Sequence, residues 1–439
     1  MATVRLMARR LNSAEPGFAA AFAALVAEKR AGPGANGAQV AEIIADVRAR
    51  GDQALIEYTA RFDGLELDAM GLRLKPDEIA AAAADCPAET RAALAFAAAR
   101  IEDFHRRQMP AGLDYTDASG VRLGARWNAL AAAGLYVPGG TAAYPSSVLM
   151  NAIPARVAGV ARIVMTVPTP NGALNPALMA AAEIAGLDEI YRIGGAQAVA
   201  ALAHGSASIR PVDKIVGPGN EWVAEAKRQV FGIVGIDMIA GPSEILVLAD
   251  GANEPDWVAA DLMSQAEHDS AAQAILITDD AGFADAVAAA VERLLETLPR
   301  RDIAGMSWRA HGAIIVIGDL DEAPALIDRI APEHLELAVA EPQALFDRVN
   351  HAGAVFLGRH TPEALGDYVA GPNHVLPTSG SARFSSGLSV YDFLKRTSFA
   401  ACDGAGLAAI GPAARILAEA EGLDAHALSL ALRLDKPDA

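Results

Sequence analysis

Cysteine is nearly missing from this 439-residue chain, with Cys86 and Cys402 the only two. Two thiols cannot build a disulfide scaffold or a thiolate metal cluster, and lone thiols suit a reducing compartment. Basic charge is also short: Lys+Arg 36 stand against Asp+Glu 54, giving a net charge of -18 and a pI near 4.9. A protein that tracks phosphates needs a basic surface to displace counterions, so no nucleic-acid or anionic-membrane partner is expected. The first 17 residues carry Arg5, Arg9, Arg10 and Glu15 and no apolar run, so no secretory signal is expected either. The longest uncharged stretch, residues 127–155, could reach across a bilayer but holds Pro138, Gly139, Gly140, Pro145 and Pro154. Such breakers suit strand, loop and helix cap, not a membrane span. A cytoplasmic protein is the expectation. Hydrophobic residues at 52% and charged residues at 21% exclude extensive disorder.

What is present is an α/β rhythm. Residues 1–125 read as a helical, Ala-rich segment, with helices at 20–30, 40–61, 76–84 and 87–108 and breaks at Gly32-Pro33-Gly34 and Gly64. Val40, Ile43, Ile44 and Val47 recur at the spacing of a core-facing helical stripe. From residue 126 to 242, short β-branched runs at 134–137, 162–167, 189–193 and 214–216 alternate with helices, the pattern of βα units around a parallel sheet. A second series over 243–375 places strands at 245–249, 274–278, 313–317, 335–339 and 354–357. The fold class is therefore α/β: two successive, incomplete Rossmann-like domains without identity-level repetition, so that any duplication is structural. Residues 376–439 read as a helical tail, with short helices at 392–401, 412–421 and 425–432 and little core of its own, expected to pack on another subunit.

Three glycine turns sit where a strand hands over to a helix, the place where α/β sheets bind ligands. They are Val137-Pro138-Gly139-Gly140, Ile193-Gly194-Gly195-Ala196-Gln197 and Val216-Gly217-Pro218-Gly219-Asn220. None has the GxGxxG spacing of a standard dinucleotide site, and plain tight turns are the favoured account of them. Gln265 and His268 lie three residues apart at the end of an expected helix, so both can face one ligand, although Gln is a weak neutral metal donor. Their alternative is a histidine complementing a helix C-terminus. Glu333 and His334 place a carboxylate and an imidazole side by side before a strand, pointing apart, and an imidazole suits proton abstraction near neutrality. Asp367 and His374 flank Gly371-Pro372-Asn373, while Glu421 and His426 lie between two tail helices. Cys402 has no neighbouring His and reads as a buried small hydrophobe.

Taken in order, five segments resemble the histidinol dehydrogenase family. They are Tyr136-Val137-Pro138-Gly139-Gly140, Ala240-Gly241-Pro242-Ser243-Glu244, Ser264-Gln265-Ala266-Glu267-His268, Ala331-Pro332-Glu333-His334-Leu335-Glu336, and the run from Gly366-Asp367-Tyr368 through Asn373-His374-Val375-Leu376-Pro377. The resemblance implies a zinc-containing, NAD-dependent homodimer that oxidises L-histidinol through L-histidinal to L-histidine. It implies Gln265, His268, Asp367 and His426 as zinc ligands. Ser243, His374 and Glu421 become substrate contacts together with those ligands and His334, and Tyr136, Gln197 and Asn220 become NAD contacts. Glu333 and His334 match the acid/base pair, and active sites shared between subunits are expected. Alternatives are a related zinc/NAD dehydrogenase of another small diol or amino alcohol, a metal-free aldehyde dehydrogenase using Cys402, and a non-catalytic amino-alcohol sensor.

Overall fold

The structure, a computed structural model, describes residues 7–29, 36–139 and 144–435. Two parallel sheets dominate it. The first has the order Glu189–Tyr191, Arg162–Thr166, Ala132–Tyr136, Lys214–Val216, Gly235–Ile236. The second has the order Arg9–Asn12, Ala313–Val316, Gln273–Thr278, Glu244–Ala249, His334–Ala338, Ala354–Leu357. Their middle strands are continuous apolar runs because helices cover both faces, as in Glu244–Ala249, where every residue is buried. In each sheet the chain starts on a middle strand, steps outward twice, then crosses to the other side of the starting strand for two more. The duplication is thus structural, as the sequence led one to expect, and Arg9–Asn12 extends the second copy by pairing with Ala313–Val316. Among the described residues no helix is long and apolar enough to cross a membrane.

Several expectations need correction. The first 125 residues are neither wholly helical nor one unit. Arg9–Asn12 and the helix Phe18–Lys29 join the second sheet, where Phe22, Leu25 and Val26 pack with Leu246 and Ile327. The helices Gly37–Arg50 and Asp52–Asp63, one helix in the sequence reading, part at Gly51. The expected stripe of Val40, Ile43, Ile44 and Val47 packs with Val199 and Leu202 of the first sheet's helices. The break at residues 32–34, Arg30 and Gly140 lie outside the described residues.

Residues 392–401 do not form a helix. Leu394–Ala401 is a strand, paired antiparallel with Arg122–Ala129 in a three-stranded sheet completed by Leu113–Thr116. Its partner is nearly 270 residues away in sequence, so local propensity could not reveal the ladder that satisfies its backbone. The start of the expected tail also has a core after all: Leu388, Val390 and Phe393 are buried with Leu149 and Ile153 of the first α/β unit. Only the helices Gly404–Ala420 and Asp424–Leu434 remain as an appendage.

Candidate active site

At the carboxyl edge of the first sheet, Tyr136 ends the starting strand and the chain leaves in opposite directions on its two sides. This is the switch point at which open α/β sheets bind ligands. The Tyr136 hydroxyl accepts from the Gly195 N–H at 3.1 Å, at the mouth of the helix Gly195–His204. Gln197, in the first turn of that helix, is buried. Asn220 caps the helix Glu221–Val230, its Oδ1 accepting from the Trp222 and Val223 amides at 3.1 and 3.2 Å. The three residues expected to meet NAD therefore rim one edge. Asp63 and Thr169 each bury a side-chain oxygen without a partner among the described residues. Burial raises the Asp63 carboxyl, whose charge in turn contributes to raising Tyr136, itself shifted mainly by burial.

A second cluster lies at the opposite, amino edge of the six-stranded sheet. Glu244 and His334 each begin a strand, and the strands are neighbours with His334 opposite Ile245. The Glu244 amide donates to Glu333 Oε2 at 2.8 Å, and the Glu333 amide donates to Glu244 Oε2 at 3.3 Å. His334 Nδ1 lies 3.0 Å from the Glu244 carbonyl, which can only accept, so Nδ1 carries the proton and Nε2 holds the free lone pair. Nε2 is buried with no hydrogen-bond partner among the described residues and stands 3.8 Å from both Glu363 Oε1 and Asp367 Oδ1. Glu333 and His334 serve Glu244 separately, with 3.8 Å between Glu333 Oε2 and His334 Nδ1.

The helix Pro255–Ala266 delivers Gln265, whose Nε2 meets His268 Nδ1 at 3.1 Å and whose buried Oε1 has no partner among the described residues. The helix Glu363–Tyr368 supplies Glu363 and Asp367 one turn apart; Glu363 Oε2 accepts from Ser264 Oγ at 3.2 Å while its Oε1 stays unpartnered. His374 Nδ1 turns back to the Asp367 carbonyl at 3.0 Å, and its Nε2 lies 3.4 Å from Ser147 Oγ on the helix Pro145–Ala158 of the first unit. The site is thus built across both α/β units, with Ser243 immediately before Glu244.

Electrostatics show what this cluster suits. Burial, then Glu244, holds the Glu333 carboxyl well above its ordinary range, and burial, then Asp367, pushes Glu363 up to about 9. Burial raises Glu336 too, followed by Asp261, which is itself pushed up to about 6. The same burial lowers His334 and His374. Crowded acids, with the orphaned oxygens of Glu363 and Gln265 and the free Nε2 of His334 among them, fit a cation, which would reverse the carboxyl shifts by favouring the ionised carboxylates.

Among the described residues, His334, Glu363 and Asp367 bring donor atoms within 4.8 Å of one another. Of the four zinc ligands implied by resemblance, Asp367 belongs to this group, and His268 is close enough to depress His334 and His374. Glu421 and His426 are exposed on the tail, and neither side chain has a partner among the described residues. Cys402 is exposed, not buried as expected, because it lies past the end of the edge strand Leu394–Ala401. Sequence reasoning missed Glu244, Glu363 and Ser147. Only Glu363 left a signal, its four-residue spacing from Asp367, which places both on one helical face.

The histidinol dehydrogenase family model matches residues 29–434. The histidinol dehydrogenase of Rhodospirillum rubrum is 65% identical over 431 residues, covering 98% of this chain and 99% of that protein. The Ruegeria pomeroyi protein of the same name is 63% identical over 430 residues, with 98% and 99% covered. The crystal structure of histidinol dehydrogenase from Elizabethkingia anophelis superposes with a TM-score of 0.93 at 37% identity, over 99% of each chain. Sequence and structure agree along almost the whole length, and the chain is an enzyme of the histidinol dehydrogenase family.

Proposed function

We propose that this enzyme oxidises L-histidinol through L-histidinal to L-histidine with NAD, closing histidine biosynthesis, as a zinc-containing, cytoplasmic homodimer. The observation that carries the reading is a buried His334 Nε2 with no hydrogen-bond partner among the described residues, 3.8 Å from both the orphaned Glu363 Oε1 and Asp367 Oδ1. Gln265, His268 and Asp367 would hold the zinc, with His426 arriving from the partner subunit's tail. The metal when bound supplies a fixed positive charge that orients the substrate imidazole and amine. NAD when bound accepts a hydride in each half-reaction, and Tyr136, Gln197 and Asn220 would line its site.

The chain's own residues handle the protons. His334 Nε2 takes the hydroxyl proton of histidinol, because Nδ1 is already committed to the Glu244 carbonyl. Burial keeps this imidazole neutral to lower pH than usual and so ready to accept. Glu333, a stronger base than an ordinary carboxylate because burial and then Glu244 raise it, is suited when ionised to take a proton from the water that hydrates the aldehyde. His374 and Ser243, with the partner's Glu421, would contact the substrate's polar groups.

The test follows NADH absorbance with histidinol and NAD. Each histidinol should yield two NADH, and histidinal supplied directly should yield one. A one-to-one yield with aldehyde accumulating would refute oxidation of both forms in one site.

A further inference from the structure

Behind the carboxyl edge of the first sheet lies an ion pair that no step above uses. Lys227, on the helix Glu221–Val230, and Asp237, just past the strand Gly235–Ile236, meet with side chains 3% and 1% exposed. Both reach the same residue: Lys227 Nζ donates to the Gly217 carbonyl at 2.9 Å, and the Gly217 amide donates to Asp237 Oδ2 at 2.8 Å. Asp237 also accepts from the Met238 amide at 2.6 Å. Gly217 has φ 114, and a Cβ there would fall 2.1 Å from the Tyr136 carbonyl oxygen. Its backbone is therefore pressed against the residue that ends the central strand, in a conformation open mainly to glycine.

Burying two charges is costly, and apolar residues of similar volume would often be as stabilising. What the charges provide is definition, since both backbone polar groups of one residue are held at once. Gly217 opens the turn that leads to Asn220, and Lys227 rides on the helix that Asn220 caps. We infer that Lys227 and Asp237 are positioning residues for the dinucleotide, clamping Gly217 so that the turn to Asn220 is held against Tyr136. This rests on the assignment of that edge to NAD.

Lys227→Met should raise KM for NAD about tenfold to a hundredfold, the scale of a displaced binding element. The KM for histidinol, the zinc content and kcat at saturating NAD should stay near wild type. The double variant Lys227→Gln/Asp237→Asn, which keeps amide donors and acceptors for Gly217 without charge, should recover most of the loss. If Lys227→Met does not fold, Lys227→Met/Asp237→Leu, which removes both charges and both bonds, takes its place as the disrupted form. A disrupted form that melts earlier yet keeps its KM for NAD would show a merely structural pair and overturn the proposal. Tyr136→Phe separates the two readings. Should it raise KM for NAD while the disrupted pair does not, the cofactor edge stands and the positioning role falls; should neither move it, both fall.

Discussion

Because the Glu244 carbonyl commits His334 Nδ1 as a donor, any proton that this imidazole takes up must arrive at Nε2. Replacing His334 with Asn should slow both oxidations, whereas Glu333→Gln should slow histidinal oxidation chiefly, because only that step needs water. Each loss should be about a hundredfold or more, the usual scale for a positioned proton-transfer group, and single-turnover rates with each substrate would show it. Equal slowing of both half-reactions by Glu333→Gln would remove its special part. Glu363 makes a second prediction. Its carboxyl ordinarily titrates near 4.5 and is held here up to about 9. Between those values the metal-free folded chain keeps a proton that the unfolded chain has released. The stabilisation is therefore complete below the ordinary value and is lost as pH rises toward the raised one. Chelator-treated protein should melt at progressively lower temperature across that window, and Glu363→Gln should flatten the decline. An unchanged slope in the variant would assign the effect to other groups.

The helix Glu363–Tyr368 shows how a short element can be held accurately with little propensity of its own. Its first amide donates to Glu336 Oε1 at 2.5 Å, and the Arg100 guanidinium donates to the Val369 and Ala370 carbonyls beyond its last turn. Between these ends, Gly366 allows the helix to lie on Phe356, whose ring stacks 6.2 Å from that of His334. A Cβ at residue 366 would fall 2.3 Å from Phe356 Cε1. Helix propensity alone would make Gly366→Ala stabilising by about 1 kcal/mol. The contact reverses the sign: overpacking should cost about 1–3 kcal/mol and lower zinc retention, since Asp367 is the next residue. Melting and metal analysis of the variant check it, and a stabilised, fully loaded variant would contradict it.

At the scale of the whole molecule, the candidate residues gather at opposite edges of two similarly wound sheets: the carboxyl edge of the first and the amino edge of the second. The 371–393 segment links them, with Asn373 Nδ2 donating to the Met150 carbonyl at 2.6 Å. The tail helices leave Ile416, Leu417, Leu428 and Leu432 exposed alongside Glu421 and His426, as suits an arm that packs on a second copy. Co-expression of His268→Ala with His426→Ala, each inactive alone, tests this. If the tail reaches the partner subunit, a mixed dimer has one doubly defective site and one intact site. Random pairing then returns about a quarter of wild-type activity. No recovery, with mixed dimers confirmed by mass, would place the tail on its own subunit.

The periodicity of the chain was enough to reveal the α/β class, most strands of both parallel sheets and the helical stripe at Val40, because these patterns are local and repeat every two or three to four residues. The ordered motifs around Gln265, Glu333 and Asp367 were likewise visible as residues. Their assembly was not. Glu244 is one buried acid at a strand start, and nothing nearby in sequence marks it as the partner of both Glu333 and His334, some 90 residues on. The strand at Arg9–Asn12 and the strand at Leu394–Ala401 escaped for the same reason, since each draws its backbone hydrogen bonds from a distant segment. Tertiary structure alone decided which carboxylates crowd together. That crowding of buried acids beside a free imidazole nitrogen, and not the identity of any single acid, is what suits the cluster to a cation.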